Sequence, residues 1–339
     1  MADFTEKIRP KIICLTPVKN EAWILNKFLQ SASLWADHII IADQNSTDGS
    51  RQIAQRFPKV IFVENKSEVF DELIRQRLLL NEARKISAPR LLIALDADEF
   101  LTPNFIYSPE WDIILTAKAG TVMDFQWINI SPDLKNYWLH KKNSPLAFMD
   151  DGTEHAGKKI HNQRISSPPN AHRIKLQDIK VLHLQYADWP RMESKHRWYQ
   201  CWERINNPKR SAVDIYRQYH HMYGIKNSEI RPIPEEWIKD YRKLGIDILD
   251  IPKHESYWWD AEVLKYLNEY GSITFRKEDI WDIDWVSRAK LSGYSNFDNF
   301  KDPRNVFEKM VHRCLKKTQK YSRTIFIRAA GAALKKLGW

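Results

Sequence analysis

Cysteine is scarce in this sequence. Of 339 residues only Cys14, Cys201 and Cys314 are cysteines, and they lie far apart. An odd number without metal-site spacing excludes a disulfide framework and a zinc-finger arrangement, and it fits the reduced thiols of a cytoplasmic protein. Long apolar runs are missing as well. No stretch approaches the roughly 20 apolar residues that a membrane-spanning helix needs. Met1 to Pro10 is polar and charged, so no secretory signal is expected. No Gly-rich phosphate loop follows the first apolar run, and no nucleic-acid-binding motif is present, so no nucleic-acid partner is expected.

What is present is an ordinary globular composition, 43% hydrophobic and 28% charged. The chain is long enough for one large domain or two ordinary ones with a sizeable core. Fourteen Trp and thirteen Tyr suit a sugar-binding cleft and a core equally. The net charge of +10 is uneven: from Val306 onward nine Lys and Arg stand against Glu308 alone, so most of the surplus lies in the tail. Phe307, Met310, Val311, Leu315, Ile325, Ile327, Leu334 and Leu337 are interspersed among those charges. Such a tail is either a basic amphipathic segment lying on an anionic membrane through residues 306–339 or helix packed on the protein's own core.

The first hundred residues alternate apolar runs with helical spacing. Lys11–Thr16, His38–Asp43, Val60–Glu64 and Arg90–Leu95 read as strands. Ala22–Trp35, Gly49–Arg56 and Glu68–Lys85 read as helices between them. Continuous apolar strands separated by helices predict an α/β fold with a mostly parallel sheet covered on both faces. Such sheets bind ligands at the carboxyl ends of their strands. Further on, Gly120–Ile130 and Lys180–Leu184 read as strands, 149–170 as a long polar functional loop, and Asp188-Trp189-Pro190 as a helix start. Beyond about residue 208 the chain reads as helical. The expected division is therefore a sheet domain over 1–208 and a helical C-terminal region over 209–339 ending in the basic amphipathic tail.

Three polar clusters end three of these strands. Thr16-Pro17-Val18-Lys19-Asn20-Glu21 follows the first, Asp43-Gln44-Asn45-Ser46-Thr47-Asp48-Gly49-Ser50 the second, and Asp96-Ala97-Asp98-Glu99 the fourth. Each alone has a structural account as a helix cap or a turn. Together they place carboxylates at one sheet edge, where an oxygen-liganded divalent cation would offset the cost of burying them.

The order P-x-x-N-E, D-x-x-S-T-D-G-S and L-D-A-D-E resembles the family 2 glycosyltransferases, over roughly the first hundred residues. The resemblance implies a Rossmann-like GT-A domain that holds a nucleotide-sugar donor with Mn2+ or Mg2+. It implies that Thr16, Glu21 and Asp43 face the nucleotide, with Pro17 and Asn20 in the same motif. It implies that Asp96 contacts the ribose or the metal, and that Asp98 ligates the metal directly. Gln44 departs from the pattern, since many relatives carry a second acidic residue there. An Arg on the helix over 68–85 is expected to point into the donor site. Arg75, followed by Gln76, fits best, with Arg77 as the alternative.

His183 is expected to complete the metal site. Asp188, Trp189, Lys195 and Tyr199 resemble a helix of lipopolysaccharide-type relatives, and Lys195 would reach the donor phosphates. Inversion at the sugar needs a general base. The loop around Phe148–His155 offers Asp151, with Asp150 and Glu154 behind it. The acceptor is then a glycan or lipid-linked hydroxyl in cell-envelope polysaccharide synthesis, with the enzyme cytoplasmic or peripheral on the inner face of the membrane. A nucleotidyltransferase of similar fold, a phosphatase using Asp96 as nucleophile, and a basic nucleic-acid-binding protein are the rival readings.

Overall fold

The computed structural model describes residues 9–67, 69–254 and 256–339. Along the chain run β1 (Lys11–Val18), α1 (Ala22–Ala32), β2 (His38–Asp43), α2 (Ser50–Ala54), β3 (Val60–Glu64), α3 (Glu72–Ala83) and β4 (Arg90–Ala94). Then come β5 (Glu99–Leu101), α4 (Pro109–Leu115), β6 (Val122–Ile130), β7 (Asn136–Leu139), β8 (Ser144–Met149) and β9 (Arg173–His183). The remainder holds α5 (Trp189–Asn206), α6 (Ala212–Tyr219), β10 (Arg231–Pro232), α7 (Lys239–Lys243), α8 (Trp258–Tyr270), α9 (Trp285–Leu291), α10 (Val306–Thr318) and α11 (Ile325–Lys336).

The chain forms two compact units. One joins the part before Asp188 to Arg231–Pro252; the other joins Asp188–Ile230 to Lys253–Trp339. In the first unit β3, β2, β1 and β4 are parallel neighbours in that order. Successive side chains of a strand point to opposite faces, and both faces are covered here. Ile12 and Cys14 pack with Leu25, Phe28 and Leu29 of α1 on one side. Ile13 and Leu15 pack with Leu79, Leu80 and Ala83 of α3 on the other. This double burial is why these strands carry apolar runs rather than alternation. The sheet continues beyond β4 through antiparallel β8 into β6, which pairs with β7 and runs parallel to β9. The architecture is thus the α/β sheet expected from the sequence, widened by antiparallel strands, with a helical C-terminal region.

The unit boundary does not fall at residue 208. Arg231–Pro252 returns to the sheet: β10 pairs with β7, and Trp237 packs against Tyr137 with ring centroids 4.9 Å apart. The buried Tyr241 hydroxyl donates to the Leu101 carbonyl at 2.6 Å. In the other direction α5, at 189–206, makes the core of the second unit, where Arg197 and Ser194 bind the buried Asp260 of α8 at 3.2 and 2.8 Å. Both pairings join segments distant in sequence, so a break read from local pattern alone misses them.

Candidate donor and metal site

The parallel strands fix one edge of the sheet. The register pairs Val18 with Asp43 and Asp43 with Glu64, and Leu95 N donates to the Leu15 carbonyl. The three polar clusters therefore emerge on one rim. The first two are tied together. Asn20 N donates to Ser46 Oγ at 2.9 Å, Thr47 N to Asn20 Oδ1 at 2.8 Å, and Ala22 N to Asp48 Oδ2 at 2.8 Å. Asn20 and Asn45 sit at φ of 57° and 53°, a left-handed conformation that Asn tolerates better than most residues. The Asn20 amide oxygen thus holds the rim together. Glu21 accepts from the Trp23 indole at 2.6 Å. Gln44 donates to the Ser67 and Val69 carbonyls at 3.0 and 3.2 Å, fixing the approach to α3.

Several buried polar atoms of this unit have no partner among the described residues. They include Asp43 Oδ1, Arg75 Nε, Gln76 Oε1, Glu99 Oε1 and Trp127 Nε1. Unpaired buried polar atoms are costly, and a polar ligand on this rim would satisfy such groups. Thr16 and Pro17 are buried at the end of β1, with Thr16 Oγ1 3.4 Å from Cys14 Sγ. Arg75 lies in the first half of α3, its guanidinium 5.6 Å from the Phe70 ring centre.

The antiparallel part of the sheet delivers the rest. β5 pairs with β9 so that Glu99 lies opposite His183, and β6 pairs with β9 so that Asn129 lies beside His183. Leu184 N donates to the Asp98 carbonyl. Asp98, Glu99 and His183 are all buried, and one ligand atom from each lies within 4.8 Å of the others. His183 Nε2 is 3.9 Å from Asp98 Oδ2 and 4.0 Å from Glu99 Oε1. Its Nδ1 is 3.0 Å from Asn129 Oδ1. With Nδ1 donating to that oxygen, Nε2 presents a lone pair to two carboxylates, an arrangement suited to a shared cation. Trp127 packs on the imidazole with centroids 4.7 Å apart.

Arg164 enters the same cluster. Its guanidinium bonds Asp96 Oδ2 at 2.7 Å and also pairs with Glu99, lying 5.3 Å from the Trp127 ring centre. Burial pushes the Glu99 carboxyl up to about 7; Arg164 opposes the shift, and Asp96 and Asp98 add to it. Three carboxylates against one guanidinium leave the cluster negative, and carboxylate oxygens with an imidazole nitrogen suit Mn2+ better than Mg2+.

From the sequence, Glu99 is named only as a member of its cluster and given no role, and Asn129 and Arg164 are not named. Glu99 adjoins Asp98 and opens a strand too short to be read. Asn129 shares a face of β6 with Trp127, two residues away. Arg164 lies in the long loop, and nothing in its neighbourhood marks it.

That loop also corrects the choice of base. β8 runs antiparallel to β4, with Met149 opposite Leu91, so its end lies at the start of β4. Asp150 is there, its side chain fully buried between Arg84 and Arg90 at 2.9 Å each. Asp151 is exposed beside Gly120, the turn that precedes β6. A five-residue strand separates its ends by about 15 Å, so both aspartates stand at the opposite edge of the sheet from Asp98. From there the loop climbs along α3: Arg84 donates to Thr153 O at 2.7 Å, Arg77 to His155 O at 3.3 Å, and Asn162 N to Glu72 Oε2 at 2.7 Å. Glu154 is exposed on this climb. Lys195 belongs to the second unit, where its ammonium lies 6.0 and 5.9 Å from the ring centres of Tyr199 and Trp259.

Residues 13–175 match the family model described as glycosyl transferase family 2. Over that stretch, just under half of its length, the chain is similar to the family 2 glycosyltransferases. No curated protein matches it. Among solved structures the chain is similar to glucosyl-3-phosphoglycerate synthase from Mycobacterium tuberculosis, solved with Mn2+ and UDP. That match has 18% identity and a TM-score of 0.26 over 35% of this chain and 44% of that one, so the aligned part spans under half of that relative. It is also similar to TarS 1-349 of S. aureus, at 10% identity and a TM-score of 0.37 over 92% and 90% of the two chains. A third is GalNAc-T7 with UDP, GalNAc and Mn2+, at 13% identity and a TM-score of 0.37 over 89% and 60%. Likeness at this level carries no information on the substrate of the present chain.

Proposed function

We propose that this glycosyltransferase moves a sugar from a nucleoside-diphosphate donor to a hydroxyl acceptor, with inversion and with Mn2+ as its cation, in the making of a cell-envelope or lipid-linked glycan. The observation that carries the metal-dependent part is the buried imidazole of His183. Asn129 orients its Nδ1, and its Nε2 faces Asp98 and Glu99 at the carboxyl rim of a family 2 domain.

A cation held by Asp98, Glu99 and His183 would neutralise charge on the departing diphosphate. The chain's own residues do the remainder. Asp43, with one buried oxygen unpaired, accepts from the nucleoside. Arg75 and Gln76 supply polar atoms at the start of α3. Inversion needs a base beside the acceptor. Glu154 is the furthest of the three sequence candidates along the loop that runs beside α3, between Thr153 and His155, and it remains the candidate.

The envelope setting is supported by the tail. α11 exposes Ile325 and Phe326, and Leu337 just after it is exposed too, beside Arg323, Arg328, Lys335 and Lys336. No helix among the described residues is long and apolar enough to cross a membrane.

The test is a panel of nucleoside diphosphates assayed for thermal stabilisation with Mn2+, with Mg2+ and with chelator. One nucleotide stabilising only with cation is the expected result. Stabilisation indifferent to chelator would remove the metal from the reading.

A further inference from the structure

The second unit contains a cavity of about 170 Å3 with no part in the proposed transfer. Its wall is built by α5, α6 and the segments 220–223 and 279–282, with Lys316 of α10 also lining it. At roughly 30 Å3 per water, it has room for about six waters, the size class of a single sugar ring.

Several charges on its wall are matched, while the Lys316 ammonium and the Glu193 carboxylate have no ion-pair partner among the described residues. Arg197 binds Asp282 at 2.9 Å and Asp260 at 3.2 Å. Asp279 faces His220 at 3.4 Å and Arg304 at 3.5 Å. One oxygen of Glu193 accepts from the Trp189 indole and from the Tyr223 hydroxyl. What is left over is hydrogen-bonding capacity. His196 is buried, and its Nδ1 lies 2.7 Å from the Tyr219 carbonyl. A carbonyl only accepts, so Nδ1 carries the proton. Burial keeps the ring neutral, and Nε2 has an open lone pair. Nε2, the Tyr216 hydroxyl and the second Glu193 oxygen have no hydrogen-bond partner among the described residues, and Arg197 Nε is buried and unpaired. Tyr216 is rigid, stacked on His220 at 4.0 Å and 7°.

We propose that this cavity binds one neutral, polyhydroxylated ring, a monosaccharide unit, at a site separate from the donor site. Mixed donors and acceptors on a wall that carries charges of both signs suit hydroxyl groups. An anion would meet the Glu193 carboxylate and two paired aspartates, Asp279 and Asp282, with only Lys316 as an unpaired cation among the described lining residues. The inference does not rest on the proposed transfer and stands or falls apart from it.

The experiment is saturation-transfer NMR on the full chain in chelator, with methyl glucoside, methyl galactoside, methyl mannoside and inorganic phosphate as probes. At least one glycoside should bind and phosphate should not. Tyr216→Phe keeps the ring stack, and Glu193→Gln keeps the shape; each should weaken binding about three- to tenfold, the worth of one or two neutral hydrogen bonds. Asp98→Asn should leave binding unchanged. The proposal is overturned if no glycoside binds at tens of millimolar, if only phosphate binds, if neither cavity variant changes affinity, or if Asp98→Asn abolishes it.

Discussion

Asn129 Oδ1 lies 3.0 Å from His183 Nδ1, on neighbouring parallel strands whose register sets the two residues side by side. A carboxamide oxygen in that place selects the tautomer whose Nε2 lone pair faces Asp98 and Glu99. Removing it frees the ring to rotate or change tautomer. Asn129→Leu should therefore weaken Mn2+ binding about 10- to 100-fold, as loss of a partner that orients a metal ligand typically does. Titration followed by Mn2+ electron paramagnetic resonance reads this directly. Unchanged affinity would show that His183 is not a ligand.

The two edges of the sheet make a paired prediction. Asp98→Ala removes a ligand at the rim and should reduce turnover at least a thousandfold while the circular dichroism spectrum is kept. Asp151→Asn acts at the other edge and should leave turnover within about threefold, as exposed substitutions away from a site do. Comparable losses in both variants would mean that the loop over 151–164 reaches the acceptor in a way its contacts with α3 do not suggest.

The parallel half of the site was legible in the sequence because each of its groups follows an apolar run. Thr16 and Asp43 lie near the ends of β1 and β2, and Asp98 lies four residues beyond β4, strands whose burial on both faces leaves an unbroken hydrophobic signal. Of the other half only His183 was given a role from the sequence. β7 and β8 are short, β9 carries exposed and buried positions in irregular order, and β5 is three residues long. Which residues face each other across those strands depends on register, which no local pattern in one chain records. Asp150 and Asp151 were misread for the same reason. An acidic pair in a loop looks the same whether the loop ends at the upper or the lower edge of a sheet.

Asp150 should govern acid stability instead of catalysis. Burial pushes its carboxyl up, but Arg84, the Gly152 amide and Arg90 outweigh that, and the net effect holds it below the ordinary carboxylate range. A depressed folded-state value means that the stabilisation is present above the unfolded carboxyl's value, near 4, and is lost as pH falls through the folded one. Asp150→Asn leaves Arg84 and Arg90 facing an uncharged group and should cost about 3–5 kcal/mol at neutral pH. The melting-temperature gap between wild type and variant should narrow as pH falls below about 4. A gap that stays constant to pH 2 would mean that the ion pairs contribute nothing.

Arg164 binds carboxylates of the cluster that the proposed cation would share, and this gives a separable signature. Arg164→Gln leaves Asp96, Asp98 and Glu99 without their resident positive charge. In chelator the variant should melt several degrees below wild type, as loss of one partner of a buried ion pair predicts. Added Mn2+ should restore more of that loss than it adds to wild type, because the ion supplies the missing charge. Equal Mn2+ shifts in both proteins, measured by differential scanning fluorimetry, would show that Arg164 and the ion do not compensate one another.

The tail divides into two helices with different faces, and the membrane reading depends on which residues are already in use. α10 buries Val311 and Leu315 against Ala212, Val213 and Tyr216, and the terminal Trp339 joins that cluster. Those side chains are core and unavailable to lipid. Among the described residues α11 has no buried side chain; Leu334 packs partly on the cluster, and Lys335 pairs with Asp214 at 2.6 Å. Ile325 and Phe326 are 77% and 83% exposed, next to Arg323 and Arg328. Cutting the chain before α10 would remove Val311, Leu315 and Trp339 from the core and confuse unfolding with lost binding. Ile325→Glu with Phe326→Glu changes exposed positions only and should leave the melting temperature within a degree or two. The full chain should sediment with liposomes containing anionic lipid, release as salt rises, and ignore neutral ones. The double variant should lose at least tenfold in partitioning, since it removes two apolar anchors and adds two negative charges. Sedimentation of the variant equal to wild type would place any lipid contact elsewhere, and no sedimentation of either at low salt would remove the membrane from the proposed function.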